Sequence, residues 1–330
     1  MLRVLLYEWC CSGGADAVDR EPIAAEGRAM LEALARDAVR DDSLAVTVFD
    51  GGVAGLDLPR GVRRLQAPAG RGLERLLAES PNHDRVILVA PETDGLLATH
   101  LAGVRAAGGR LAGCSERFAA LTADKQATVV ALAAAGVPVP AGRLLAAGEP
   151  IPTEFHRPAV RKARAGVGCD GLRLIREDLR SDLREKDLAT EGESRLEAFV
   201  PGASVGVSCL CGPLGVRPLP PMLQLYTGGD QPRLVGLERF DQPAAADRGK
   251  ALAIRAIEAC NRATGDPEAA AGWVGVDMIL GDREDGRADR VLELNPRLTT
   301  SFVGLSAMFD GSLVRAIIDA AEGCLGGRGV

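Results

Sequence analysis

Gly272-Trp-Val-Gly-Val-Asp-Met-Ile-Leu-Gly281, a charged loop, and Arg290-Val-Leu-Glu-Leu-Asn-Pro-Arg297 decide the fold of this chain. Both runs alternate apolar and other residues at period two, the mark of half-buried strands. The loop from Asp282 to Asp289 contains Gly286 and reads as a hairpin connection. Folding about Asp285 sets Asp277 opposite Glu293, and Asn295, two residues on, shares the face of Glu293. Two carboxylates and an amide oxygen then converge from paired strands. Like charges so placed repel unless a cation lies between them. Hard oxygen donors of this kind suit Mg²⁺, which is held by one or two carboxylates plus substrate phosphates; Mn²⁺ is the alternative. Arg297 follows at once and would hold an anion beside the metal. A solvated surface hairpin is the competing reading, but Glu293 sits between Leu292 and Leu294 in an apolar strand.

A chain of 330 residues exceeds one small core and predicts two or three domains. Hydrophobic content of 47% and charged content of 25% are those of a globular protein. The net charge of −6, with no basic run interleaved with aromatics, speaks against a nucleic-acid partner. The apolar run Leu2 to Tyr7 is stopped by Glu8, short of a signal sequence, and no stretch of about 20 apolar residues exists to span a membrane. The expected location is cytoplasmic. Neither CxxC pairs nor a histidine cluster suggest zinc. Cys209 and Cys211 share a strand face with Val205 and Val207, as buried thiols do, whereas the adjacent pair Cys10-Cys11 is unusual and leaves a redox or metal role open. Lysine is scarce, at Lys125, Lys162, Lys186 and Lys250, so each lysine carries more information than usual.

The first third alternates strand and helix: strands at 2–7, 44–49, 85–90 and 110–114, helices at 22–39, 73–78 and from Asp94 to Ala107. That pattern predicts a doubly wound parallel sheet with ligands at the strands' carboxyl ends, which points to the loops Glu8 to Gly14 and Pro91 to Asp94. Residues 115–135 read as a helix broken near Thr122 to Asp124, with Lys125 in the first turn of the second piece. Gly136-Val-Pro-Val-Pro140 stops it. The strand Pro158 to Arg164 leads into Ala165-Gly-Val-Gly-Cys-Asp-Gly171 and the strand 172–176. A glycine-rich loop between two strands is neither a Walker loop nor a Rossmann turn. It suits a hairpin whose backbone N–H groups cover phosphates, with Lys162 adding charge. A polar helix is expected at Leu179 to Leu188, strands at 195–200, 204–211 and 221–226, a long helix at 244–264, and one or two helices from Gly304 to Glu322. Neighbouring strands with helices grouped apart read as α+β. The expected division is 1–115, 116–192 and 193–330.

An α/β domain, a helix lysine, a second lysine before a glycine-rich hairpin, Glu197-Ala-Phe-Val-Pro-Gly202, and a strand pair bearing Asp277, Glu293 and Asn295 together resemble the ATP-grasp superfamily. The resemblance implies that ATP lies between two α+β subdomains. Lys125 and Lys162 would contact its phosphates, the loop with Gly166, Gly168, Cys169 and Gly171 would cover them, and Glu197, Ala198, Phe199 and Val200 would line adenine and ribose. Asp277, Glu293 and Asn295 would carry the metal, with Arg297 near the transferred phosphate. Two positions depart from the pattern: Ala163 replaces a common proline, and Ser204 stands where many relatives have a ribose-binding glutamate, which shifts that contact to Glu197.

A narrower likeness covers most of the chain. Leu-Leu-Tyr-Glu8, Ala-Pro-Glu-Thr-Asp94, Gly-Cys-Ser115, Ala-Asp-Lys125, Gly-Trp-Val-Gly-Val-Asp277 and Glu-Leu-Asn-Pro-Arg-Leu-Thr-Thr300 resemble the tyramine–L-glutamate ligases of methanofuran biosynthesis. This implies ATP-dependent amide formation between glutamate and tyramine or tyrosine. The partners would be a small-molecule acid and amine, and a homodimer is compatible with this. Glu8 and Glu92 are candidates to bind an ammonium group, Thr299 and Thr300 to meet the donor carboxylate. The alternatives are another amino-acid or peptide ligase of the superfamily, or a nucleotide-binding regulator without catalysis. Retention of both lysines and all three oxygen donors speaks against the regulator.

Overall fold

The computed structural model describes residues 1–14, 21–51, 55–152, 154–166, 168, 171–176 and 192–324. The polar helix expected at Leu179 to Leu188 and the loop residue Cys169 lie outside them. The described residues form three sheets.

The first sheet has the order β3-β2-β1-β4, from β1 (Leu2–Glu8), β2 (Leu44–Asp50), β3 (Arg63–Gln66) and β4 (Arg85–Val89), all parallel. Its alternation feeds two cores. Val4 and Leu6 pack with α1 (Glu21–Ala38), while Leu5 and Tyr7 pack toward α2 (Gly72–Glu79) and α3 (Leu96–Ala106). Both faces are covered, so the strands carry apolar residues on both sides. The strand expected at 110–114 is corrected to a single parallel bridge, Val86 to Leu111. Beyond it the chain is diverted, because Ser115 N donates to Ala269 O at 2.8 Å and its hydroxyl caps the next helix.

The helix break falls where the sequence predicts, between α4 (Glu116–Ala123) and α5 (Lys125–Ala134). Asp124 lies at the break and its carboxylate accepts from Gln126 N and Ala127 N, a helix N-cap. The second sheet follows, β5-β8-β6-β7, from β5 (Gly142–Leu145), β6 (Ala159–Ala163), β7 (Arg173–Ile175) and β8 (Ser194–Ala198).

The third sheet runs β12-β11-β9-β13-β14, with β10 paired to β9; its members are β9 (Ala203–Gly212), β10 (Gly215–Pro218), β11 (Met222–Tyr226), β12 (Leu234–Arg239), β13 (Gly272–Leu280) and β14 (Arg290–Asn295). Helix α6 (Pro243–Thr264) covers one face, where Val205, Val207, Cys209 and Cys211 are fully buried, as their alternation predicts. Pro243 opens that helix and Gly265 closes it in a left-handed conformation. Ser204, Gly206 and Ser208, the alternate residues of β9, face a cleft instead. The C-terminal segment makes two helices, α7 (Ser301–Met308) and α8 (Leu313–Glu322), which pack back onto α1. Among the described residues no single helix is long and apolar enough to cross a membrane.

Candidate active site

The hairpin β13–β14 pairs Asp277 with Glu293 and Gly275 with Asn295, the register the sequence pattern requires. Between Asp277 and Met278 the register slips, leaving Leu292 as the extra residue of a bulge. Bulges re-aim backbone groups. Here the Leu292 carbonyl accepts from Lys162 Nζ at 3.1 Å, so the bulge ties β14 to the second sheet.

Asp277 is held from two sides. Asn295 Nδ2 donates to its Oδ2 at 2.9 Å and Gln224 Nε2 to its Oδ1 at 2.7 Å. Ser204 donates to Gln224 Oε1 at 2.9 Å and so fixes which end of that amide faces Asp277. Burial, together with the Glu293 carboxylate, pushes the Asp277 carboxyl up to about 7. For Glu293 burial acts upward too, but Lys125, Lys162 and Arg297 outweigh it and hold its carboxyl below the ordinary value. Two half-buried carboxylates facing each other, one held charged and one pushed toward neutrality, form a site that a divalent cation would relieve. Among the described residues no group of three His, Cys, Asp or Glu gathers. The donor set is two carboxylates and an amide oxygen, which fits an ion completing its shell with phosphate and water.

The two lysines converge on this pair although they come from a helix and a strand. Lys125 Nζ lies 3.3 Å from Glu293 Oε2 and donates to Gly166 O at 3.0 Å. Lys162 Nζ lies 2.8 Å from Glu197 Oε2. Both lysines are nearly buried, so each ammonium needs the counter-charge it has. Arg195 also binds Glu197, Nε to Oε1 at 2.7 Å. Both oxygens of Glu197 are therefore committed to cations. Glu197 lines the cleft and anchors Lys162 in it, and Ala198, Phe199 and Val200 continue along the same wall. Gly166, Gly168 and Gly171 line it as well, the last two at φ of 58° and 70°, where a side chain would be strained.

The cleft, about 1160 Å³, extends past the carboxylate pair to the first domain. There Arg297 faces Glu92. Nη2 donates to Oε2 at 3.0 Å, and Nε lies 2.9 Å from Oε1 but is poorly aligned as a hydrogen bond, so that second contact is Coulombic. Glu8 is buried beside them; Cys11 N donates to its Oε2 at 2.8 Å, and burial raises its carboxyl pKa against that contact and Arg297. Gly27 of α1 makes room for Glu8, since a Cβ there would stand 2.4 Å from Glu8 Oε1. Thr299 and Thr300 line the cleft; Thr299 Oγ1 meets Ser301 Oγ at 2.7 Å and accepts from Trp273 Nε1 at 3.3 Å, and Ser301 continues to Ser208 at 2.8 Å. Cys10 and Cys11 are buried, and burial raises the Cys11 thiol, so its thiolate is disfavoured.

Several lining residues escape a motif-based reading: Gln224 and Ser208 of the third sheet, and Ile23, Glu26 and Met30 of α1. The period-two series Ser204, Gly206, Ser208 opposite an apolar face was the available signal for Ser208. For α1 there was none, since an amphipathic helix does not disclose which neighbour its polar edge meets.

A cleft lined by Lys125, Lys162 and Arg297 between two α+β units, beside a doubly wound domain, is the arrangement of an ATP-dependent ligase of the carbon–nitrogen-forming class. Residues 122–301 match the ATP-grasp domain and residues 54–117 the pre-ATP-grasp 3 domain. The chain belongs to the ATP-grasp family. A putative ATP-grasp superfamily protein from Archaeoglobus fulgidus superposes with a TM-score of 0.71 at 22% identity, covering 98% of this chain and 89% of that one. The ADP complex of N5-carboxyaminoimidazole ribonucleotide synthetase gives 0.70 at 18%, with 98% and 77% covered. D-alanine–D-alanine ligase from Bacillus anthracis complexed with ATP gives 0.64 at 16%, with 97% of each chain covered. No curated protein matches by sequence.

Proposed function

We propose that this chain joins the carboxylate of glutamate to the amine of tyramine or tyrosine through an acyl phosphate, releasing ADP, in methanofuran-type cofactor biosynthesis. The observation that carries the reaction type is the convergence of Lys125, Lys162 and Arg297 on the facing pair Asp277 and Glu293 inside one cleft. The substrates rest on the narrower sequence resemblance, and the cleft supports them. Its first-domain end combines the apolar Ile23, Met30 and Val89 with the carboxylates Glu8 and Glu26, a wall for an amine with an apolar body, and Glu92 stands behind it on Arg297.

A carboxylate is a poor acyl donor because oxide must leave. Phosphorylation supplies a better leaving group, and phosphoryl transfer calls mainly for positioning and charge neutralisation. Mg²⁺ held by Asp277, Glu293 and Asn295 would neutralise phosphate charge. Lys125 and Lys162 would move from their present carboxylate and carbonyl partners to phosphate oxygens, and Arg297 would offset charge on the transferred group. Glu92 would release Arg297 or take the ammonium in its place. No side-chain nucleophile enters the scheme. Incubation with ATP, glutamate and either tyramine or tyrosine, followed by product mass, tests the substrates: the γ- or α-glutamyl amide is expected, and its absence with both amines rejects them. The full-length likeness to D-alanine–D-alanine ligase keeps a second reading, another amino-acid ligase, which an ADP-release panel of acids and amines distinguishes.

A further inference from the structure

Lys125 is held at both ends by one short stretch of chain. Its backbone N–H donates to Arg164 O at 3.0 Å, and its ammonium donates to Gly166 O at 3.0 Å. The Arg164 side chain turns back to the residue before Lys125. Nε lies 3.0 Å from each oxygen of Asp124, and Nη2 lies 2.5 Å from Oδ2. Asp124 Oδ1 meanwhile accepts from Gln126 N at 3.0 Å and Ala127 N at 3.1 Å. One carboxylate thus caps α5 and receives a planar guanidinium fork, a geometry lysine cannot reproduce. Arg164 Nη1 also reaches Glu193 at 2.7 Å, which fixes the other side of the fork.

Arg164 is about one-third exposed, at 36%, and does not line the cleft. An ion pair so exposed adds little to stability. Its geometric consequence is larger: it sets where α5 begins relative to the end of β6, and therefore where the Lys125 ammonium stands. We propose that Arg164 is a positioning residue for nucleotide binding. Its fork on Asp124 aims Lys125 at the phosphates, and Arg164 touches no nucleotide itself. This rests on the ATP reading of the cleft.

A double-mutant cycle tests it, with MgADP affinity measured by calorimetry on the full chain and thermal melts as the fold control. Arg164→Ala is expected to weaken MgADP about tenfold while melting close to the wild type. Lys125→Ala weakens it at least as much. On the Lys125→Ala background, Arg164→Ala is expected to change affinity by less than about twofold, because the group it aims has gone. Arg164→Lys keeps the charge but loses the fork, and is expected to follow Arg164→Ala; it also serves if the alanine variant does not fold. Wild-type affinity in both Arg164 variants, or the same loss in both backgrounds, overturns the proposal. A wild-type protein that binds no MgADP overturns the nucleotide reading, a result distinct from an additive cycle.

Discussion

The two ends of the cleft are built differently. At the third-sheet end, Asp277, Glu293 and Asn295 are set by strand register within one hairpin. At the first-domain end, Glu92 meets Arg297 across 205 residues of sequence, and Glu8 is seated on a glycine of a separate helix. The first arrangement is local and fixed by backbone hydrogen bonds. The second exists only once the C-terminal half has docked on the first domain. Chemistry common to a whole family can sit on a hairpin; discrimination between substrates is suited to an interface whose two sides can change separately.

The sharpest way to break this contrast is Glu293→Ala. It removes a facing carboxylate and the partner of Lys125. ADP release is expected to fall by about 10²–10³ or more with the fold intact, and near-normal turnover would reject the role of the hairpin. Glu197→Ala comes next. It strands Lys162 and Arg195, both buried, without their counter-charge. Chemical denaturation is expected to show a loss of about 3 kcal/mol, and an unchanged midpoint would show that the network is not structural. At the other end, Glu92→Gln is expected to raise the KM for the amine about tenfold while the KM for ATP stays within about twofold. A matching rise in both would mean the two ends are not separate. The smallest effect belongs to Gly27→Ala, whose methyl would displace Glu8; about 1 kcal/mol of stability is expected to be lost, with ATP affinity unchanged.

The same contrast explains what the sequence discloses. The facing of Asp277 and Glu293 follows from period-two alternation about a polar loop, and the helix break before Lys125 from the Thr-Ala-Asp stretch that ends in an N-cap. The bulge at Leu292 did not follow, because one extra residue leaves the apolar pattern on both sides intact. The strands Arg63–Gln66 and Leu234–Arg239 escaped because they lie at sheet edges and bury little, so their alternation is weak. That Lys162 and Arg195 face the two oxygens of Glu197 did not follow either, because strand position alone does not reveal which side chains meet it. Tertiary ion pairs of that kind carry no local signature.

Titration of the protein with Mn²⁺ in the presence of ADP, followed by electron paramagnetic resonance, reaches the central claim most directly. The wild-type chain is expected to take up Mn²⁺ only when ADP is present, and Glu293→Gln and Asp277→Asn to lose that uptake. Equal, nucleotide-dependent uptake by both variants would place the ion elsewhere and contradict the account.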